Sequence, residues 1–340
     1  MKRFWTIFLF VFCLSAVGQK KVKIPLQVFN NAQFLDGKRI NSDNLIAPVS
    51  ISFFDSLLLV KSEVGEYYYS ILNAKTGKLI NQFGSKGSAK GQLAYPTAAN
   101  IDWNKKQIWV YDILKKSIQF YNIQKLLTRK RNCLDLAIEL DSVRMKRICQ
   151  VSDKLFLGIP ECCQNSKKRF ILLDKEKQCL LERTVAFPDD HFLVPCFMME
   201  SLYCTSVDFC KSGKKLVAIH RHFDQVIIYS EDLKPLIYIR GPFMIRPEFY
   251  FDEKRIALKK VQLVSNSISC GKDGFMFNIF SGKDKIQDCY EYVLWYNYEG
   301  ELQKCFRLNH KIRDIDVDWE NRAIYGICKV DKKSVYKYEF

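Results

Sequence analysis

His220 and His222 are two residues apart in the run Ala218-Ile219-His220-Arg221-His222. On an extended strand alternate side chains project from the same face, so this pair has the spacing of a two-point metal or anion site. Glu161 and Asp112 are the candidates for a further ligand, with Glu161 also placed to act as a base. Together they would make a metal-assisted hydrolase or lyase. The competing reading is two exposed loop histidines beside Arg221. His191 and His310 stand alone and read as surface residues. A second group, Arg144, Arg147 and Arg313, lies near the starts of apolar strand patterns. Pointing inward, these arginines would form a cationic funnel for a carboxylate, phosphate or uronate; pointing elsewhere, they would pair with Asp112, Glu161 and Asp314. Neither a Gly-x-Ser-x-Gly elbow, a His-Glu-x-x-His pair nor a glycine-rich phosphate loop is present. No catalytic residue, metal or cofactor is therefore assigned.

The elements that would carry these side chains are strands. Five times an apolar strand runs into a short polar turn and a second strand follows, as in SILNAKTGKLINQF and VIIYSEDLKPLIYI. These turns open at Asn73, Asn122, Asp174, Ser230 and Asn297. A sixth copy starts at SVYKYEF. A second repeated hairpin begins with Ile101-Asp102-Trp103, Val207-Asp208-Phe209 and Val317-Asp318-Trp319, each followed by a polar turn and an apolar strand. Its repetition marks Asp102, Asp208 and Asp318 as hairpin residues rather than catalysts. Two hairpins per repeat make four antiparallel strands, one blade of a β-propeller. The expected fold is all-β, a six-bladed propeller with blades near 45–83, 94–140, 143–187, 202–240, 257–308 and 309–340. The last blade lacks a strand, and Val22 to Phe29 is the expected N-terminal strand that completes it and closes the ring. Gln124 to Thr128 is the one further helical candidate.

The stretch Phe83 to Ile123 resembles an NHL-type propeller repeat, with Gly84, Gly87, Gly91, Pro96, Asp102 and Asp112 in the places that such a repeat uses. The whole chain resembles exported bacterial six-bladed propellers of the TolB-like class. That resemblance implies a fold and a compartment, and these families host scaffolds, receptors, lyases and lactonases alike. It also implies that the first strand of each blade lines a central channel, and that loops joining consecutive blades gather on one face.

The first residues, MKRFWTIFLFVFCLSAVGQK, read as a secretory signal over 1–18, followed by an N-terminal segment over 19–44 and the propeller over 45–340. The apolar run is too short for a membrane anchor, and no transmembrane segment is expected in the mature chain. Export to the periplasm or cell surface of a Gram-negative bacterium follows. The formal charge of +16 is spread over hairpin tips and accompanied by no nucleic-acid motif, which argues against nucleic acid as a partner. Of thirteen cysteines, Cys13 falls in the signal; the rest show no Cys-x-x-Cys spacing, and Cys196, Cys204 and Cys210 form the neighbourhood best placed for a disulfide.

Two insertions interrupt the repeat: Pro188 to Leu202 and Gly241 to Ile256. Both mix Pro with aromatics and Met, where connecting loops are ordinarily polar. Phe192, Phe197, Met198, Phe243, Met244, Arg246, Phe249 and Tyr250 are the candidate partner-binding residues. Asp112, Arg144, Arg147, Glu161, His220, His222 and Arg313 are the candidate channel-rim residues. The functional expectation is a non-enzymatic, monomeric exported scaffold that binds a protein, peptide or glycan through this face. The alternative is the metal-assisted, lactonase-like hydrolase or lyase at the channel mouth.

Overall fold

The second strands of the repeats, such as Leu57–Ser62, Gln107–Asp112, Lys215–His220 and Ala323–Cys328, are buried along almost their whole length. Such runs fit only where both faces of a sheet are covered. The computed structural model describes residues 19–340 except 41–44, 103–104, 129–132, 141–143, 161–169, 175, 177–178, 182–204, 211–212, 246–247, 253–254, 261, 283–289, 329 and 331–333. It meets that requirement with six antiparallel four-stranded blades.

Blade one comprises Pro48–Phe54, Leu57–Ser62, Tyr67–Asn73 and Leu79–Ser85. Blade two comprises Pro96–Asp102, Gln107–Asp112, Ser117–Asn122 and Leu134–Glu139. Blade three runs from Met145–Gln150 to Cys179–Leu181, and blade four from Thr205–Cys210 to Pro235–Arg240. Blade five starts at Ile268–Cys270, later than the expected residue 257, because Arg255–Lys260 pairs with Glu248–Asp252 in a separate hairpin. Blades five and six share one long strand, Leu302–Asp318. Its first part pairs with Tyr290–Tyr296 and its second with Ala323–Cys328. The short helix Ile123–Leu127 joins strands of blade two and is capped by the Asn122 side chain.

The core is divided rather than central. Six apolar clusters lie between blades one and two, two and three, three and four, four and five, five and six, and six and one. The last of these closes the ring. All five predicted turn openers act through their side chains. Asn73, Asn122, Asp174 and Asn297 accept backbone N–H bonds of 2.8–3.1 Å within their turns, and Ser230 Oγ accepts one from Lys234 at 3.1 Å.

Ring closure differs from expectation in its residues. Val22 to Phe29 does not complete blade six. Instead Lys20–Lys23 adds in parallel to the outer strand of blade four, and Leu26–Phe29 is a 3₁₀ turn after Pro25. Gln33–Leu35 then adds in parallel to blade five, and Lys38–Ile40 completes blade six against Val335–Glu339. The segment is thus a strap across three blades, seated by the wedges it fills. Ile24 and Val28 enter the wedge between blades four and five, Leu35 the next, and Ile40 with Leu45 the one after. Lys38-Arg39-Ile40 carries the charge typical of an edge strand, which hides it from an apolar pattern search.

Ile24 is 1% exposed and Leu26 is 55% exposed. In urea denaturation Ile24→Ala is expected to lower the unfolding free energy by about 2–4 kcal/mol. Leu26→Ala is expected to stay within about 0.5 kcal/mol of the parent. Equal effects would mean that the strap is not held by these wedges.

Candidate functional site

Inner strands in a radial array diverge from one another, so their exposed backbone groups cannot all be met by ladder pairing and need other partners. Side chains supply them. Asp208 of blade four accepts the N–H of Cys270 of blade five at 2.8 Å. Asp314 and Asp316 of blade six accept the N–H groups of Ile51 and Phe53 of blade one at 2.9 and 2.8 Å. Ser267 Oγ accepts the Ile315 N–H at 3.1 Å, Asn266 donates to the Arg313 carbonyl at 3.1 Å, and Arg147 donates to the Thr97 carbonyl at 3.3 Å. The channel wall is therefore stitched from blade to blade.

These strands enclose a cavity of about 280 Å³ at the end where inner strands begin and second strands finish. The connection carrying the Glu248–Asp252 and Arg255–Lys260 hairpin returns to this same end, since it joins the last strand of blade four to the first of blade five. Lys61, Arg147, Arg221 and Arg313 line the cavity, with Glu63, Asp208, Asp314 and Asp316 among the acids. Loss of bulk solvent pushes Asp208 up to about 7, against the pull of the Cys270 amide and with the help of nearby Asp316. Burial likewise pushes Asp314 up to about 7 and raises Asp316. Lys61 is lowered to about 8, first by burial, with Glu63 opposing and Arg147, Arg313 and Lys86 adding to the drop.

The predicted rim residues divide. Arg147 and Arg313 meet in the cavity wall; Arg144 is exposed and outside its lining. Asp112 is fully buried, and its carboxylate accepts N–H groups from Ala94 at 2.5 Å, Tyr95 at 3.2 Å, and Leu114 and Lys115 at 3.1 Å. It shapes the loops of blade two rather than facing the channel. His220 is fully buried, with Nδ1 at 2.9 Å from the Gln225 carbonyl oxygen and its ring edge-on to Phe223. The strand ends at His220 and the chain bends through 221–224, so His222 does not share the strand alternation assumed for the pair. Among the described residues no group of three or more His, Cys, Asp or Glu is disposed to hold a metal. Glu161 lies outside the described residues.

Phe192, Phe197, Met198 and Arg246 also lie outside the described residues, and Phe249 and Tyr250 are placed by backbone only, within Glu248–Asp252. Phe243 turns inward, stacked on Phe29 at 6.2 Å and tilted against Phe280 at 5.8 Å. Its N–H donates to Asp224 at 2.8 Å, and a Cβ at Gly241 would overlap that same carboxylate. Met244 is 52% exposed. The proposed disulfide neighbourhood is represented by Cys210, whose Sγ donates to the Gly271 carbonyl at 3.1 Å and accepts the Gly213 N–H at 3.3 Å. Cys196 and Cys204 lie outside the described residues.

Asp208 is a correction to the repeat reading. Asp102 and Asp318 open four-residue turns, each accepting an N–H three residues on, from Lys105 and Asn321. Cys210 holds that place in blade four, opposite Lys215, while Asp208 pairs with Val217 farther up the strand. The counterparts of Asp208 are Asn100 and Asp316; all three accept the N–H of the following residue at 2.8 Å. The like wording of the apolar-Asp-aromatic triplets concealed a two-residue slip, which puts Asp208 in the channel.

A family described as TolB-like 6-blade propeller-like matches residues 29–320. Among solved structures, a Bacteroides fragilis protein described as exported has a TM-score of 0.59 at 12% identity, covering 94% of this chain and 98% of that one. A DUF4221 family member from Bacteroides vulgatus has a TM-score of 0.60 at 10% identity, over 91% of this chain and 96% of its own. Raptor from Chaetomium thermophilum has a TM-score of 0.51 at 12% identity, over 91% of this chain and 29% of that protein. At such identities the likeness shows the fold alone. No curated protein matches the sequence.

A carboxyl whose folded pKa is raised contributes stability below its unfolded pKa and loses it as pH rises through the folded value. For Asp208 and Asp314 that window runs from about pH 4 to about pH 7. In Asp314→Asn the side-chain oxygen still accepts the Ile51 N–H, but no proton is exchanged. The Tm of this variant relative to the parent is expected to rise by roughly 3–6 °C between pH 5 and pH 8 in thermal scans. A constant difference would show that Asp314 titrates as an ordinary surface carboxylate.

Proposed function

Because the chain belongs to the TolB-like 6-blade propeller-like family, whose fold presents a channel rather than a fixed chemistry, we propose that it is an exported, non-enzymatic binding propeller. Its ligand, a protein, peptide or glycan, docks on the face where the channel cavity opens and where the 188–202 and 241–256 connections return. The periplasm or the cell surface is the proposed location, in keeping with the signal-like N-terminus and with the Bacteroides fragilis protein of similar fold described as exported. A monomer is the proposed working form.

One observation carries this reading. The cavity-lining Asp208, Asp314 and Asp316 are engaged by backbone amides of neighbouring blades, so they serve the wall. What remains to face a ligand is the Glu63 carboxylate among cations and hydroxyls, a polar wall that suits recognition. Catalysis at the His220 site finds no support in a buried imidazole bonded to Gln225.

The test is a glycan and peptide array probed with the mature chain. Discrete hits are expected, and Ser50→Trp, which places a bulky side chain on the cavity wall, is expected to weaken them at least about 10-fold while circular dichroism stays unchanged. An array without hits would sink the binding reading. Hits indifferent to Ser50→Trp would move the binding surface away from the channel.

A further inference from the structure

Resting on the binding reading, we propose that the channel mouth recognises a polyhydroxylated acid of the sugar-acid class, its carboxylate held by Arg313, Arg147 and Lys61. Three features of the cavity point to this ligand, and each concerns donors left over once the wall has been stitched.

First, the cations are crowded. Lys61, Arg147 and Arg313 come from blades one, three and six onto one cavity, near enough for both arginines to depress the lysine. Among the described residues the Arg313 guanidinium makes no hydrogen bond or ion pair, and Lys61 makes none beyond its position 5.9 Å over the Tyr95 ring. Converging cations of this kind are held at an electrostatic cost that an oxyanion removes.

Second, buried donors lining the same cavity lack acceptors. The Trp109 side chain is 1% exposed, and among the described residues neither its Nε1–H nor the buried Thr97 hydroxyl has a hydrogen-bond partner. Buried polar groups are ordinarily satisfied, so these two mark a part of the wall whose polar groups the described residues leave unmet.

Third, the remaining wall favours hydroxyls over apolar groups. Ser50 and Ser52 line the cavity with Thr97, and their hydroxyls make no hydrogen bond among the described residues. Of the apolar residues that border the cavity, Ile51, Trp109, Ile148 and Ile315 pack into the wedges between blades. About 280 Å³ of space suits one ring-sized group.

The acids set the pH response. Glu63 beside Lys61, Asp208 from blade four and Asp314 and Asp316 from blade six oppose the four cations. Asp208 and Asp314 take up protons near neutrality and Lys61 gains its charge below about pH 8. The cavity therefore becomes more positive as pH falls from 8 to 6, and the anion should bind more tightly over that range.

Calorimetric titration of the full mature chain with D-glucuronate, D-glucose, acetate and N-acetyl-alanine tests the proposal. Glucuronate is expected to bind at least about 10-fold more tightly than glucose or acetate at pH 6, and to weaken at pH 8. Arg313→Gln and Arg147→Gln should each lose at least about 10-fold, whereas Arg144→Gln, outside the cavity, should bind as the parent does. If one variant fails to fold, the other and the parent's ranking of probes still decide. Glucose binding as well as glucuronate, or full retention in both arginine variants, would overturn the proposal. N-acetyl-alanine binding as tightly as glucuronate would overturn the sugar-acid class in favour of a bare carboxylate. Neutral array hits combined with those results would leave the binding reading standing without this one, while an array with no hits removes both.

Discussion

Every blade must bury both of its faces, and a single sheet can do so only against its neighbours. This requirement divides the core into six wedges and makes each wedge the joint property of two blades. A ring is the arrangement in which no blade is left with a bare face. Closure is accordingly an apolar event as much as a hydrogen-bonded one. The strap from Lys20 to Ile40 joins outer edges of blades four, five and six while lodging Ile24, Val28, Leu35 and Ile40 in successive wedges.

The same geometry that compresses apolar side chains between blades separates backbones along the axis. Inner strands splay too far apart to pair, and the wall is held by side chains reaching across to the next blade. Carboxylates are well suited to accept such N–H bonds, which accounts for the places of Asp208, Asp314 and Asp316 in the channel wall. The cost is three acids held in a poorly solvated wall. Arg147 of blade three offsets part of it at Asp314, and the cations from blades one, three and six share the mouth with these acids. The proposed binding chemistry is in this sense a residue of how the wall is built.

Much of the fold was legible in the chain. Five polar turn openers, the doubled hairpins and the unbroken apolar second strands are local features, and each follows from interactions within a few residues. The long insertion after blade four was legible as an interruption, though its extended hairpin delayed the start of blade five. The closing strand was mistaken because an edge strand such as Lys38-Arg39-Ile40 contributes one buried residue, while the more apolar Val22 to Phe29 had a wedge of its own to fill. Asp208 was mistaken because triplets alike in sequence sat two residues apart in register.

The rim residues show where reading a sequence stops. That Arg147 and Arg313 could face a channel followed from their places at strand starts. That they converge with Lys61, that Asp112 is consumed by four backbone amides, and that His220 turns inward to Gln225 depend on chain segments far apart or on a bend that ends a strand. Secondary structure, repeat number and turn chemistry were thus determined by the sequence alone, because they rest on local periodicity and local hydrogen bonds. Which side chains share the channel, and which polar atoms remain unsatisfied there, was decided only by tertiary structure, because six blades must first close before any two of their inner strands acquire a common wall.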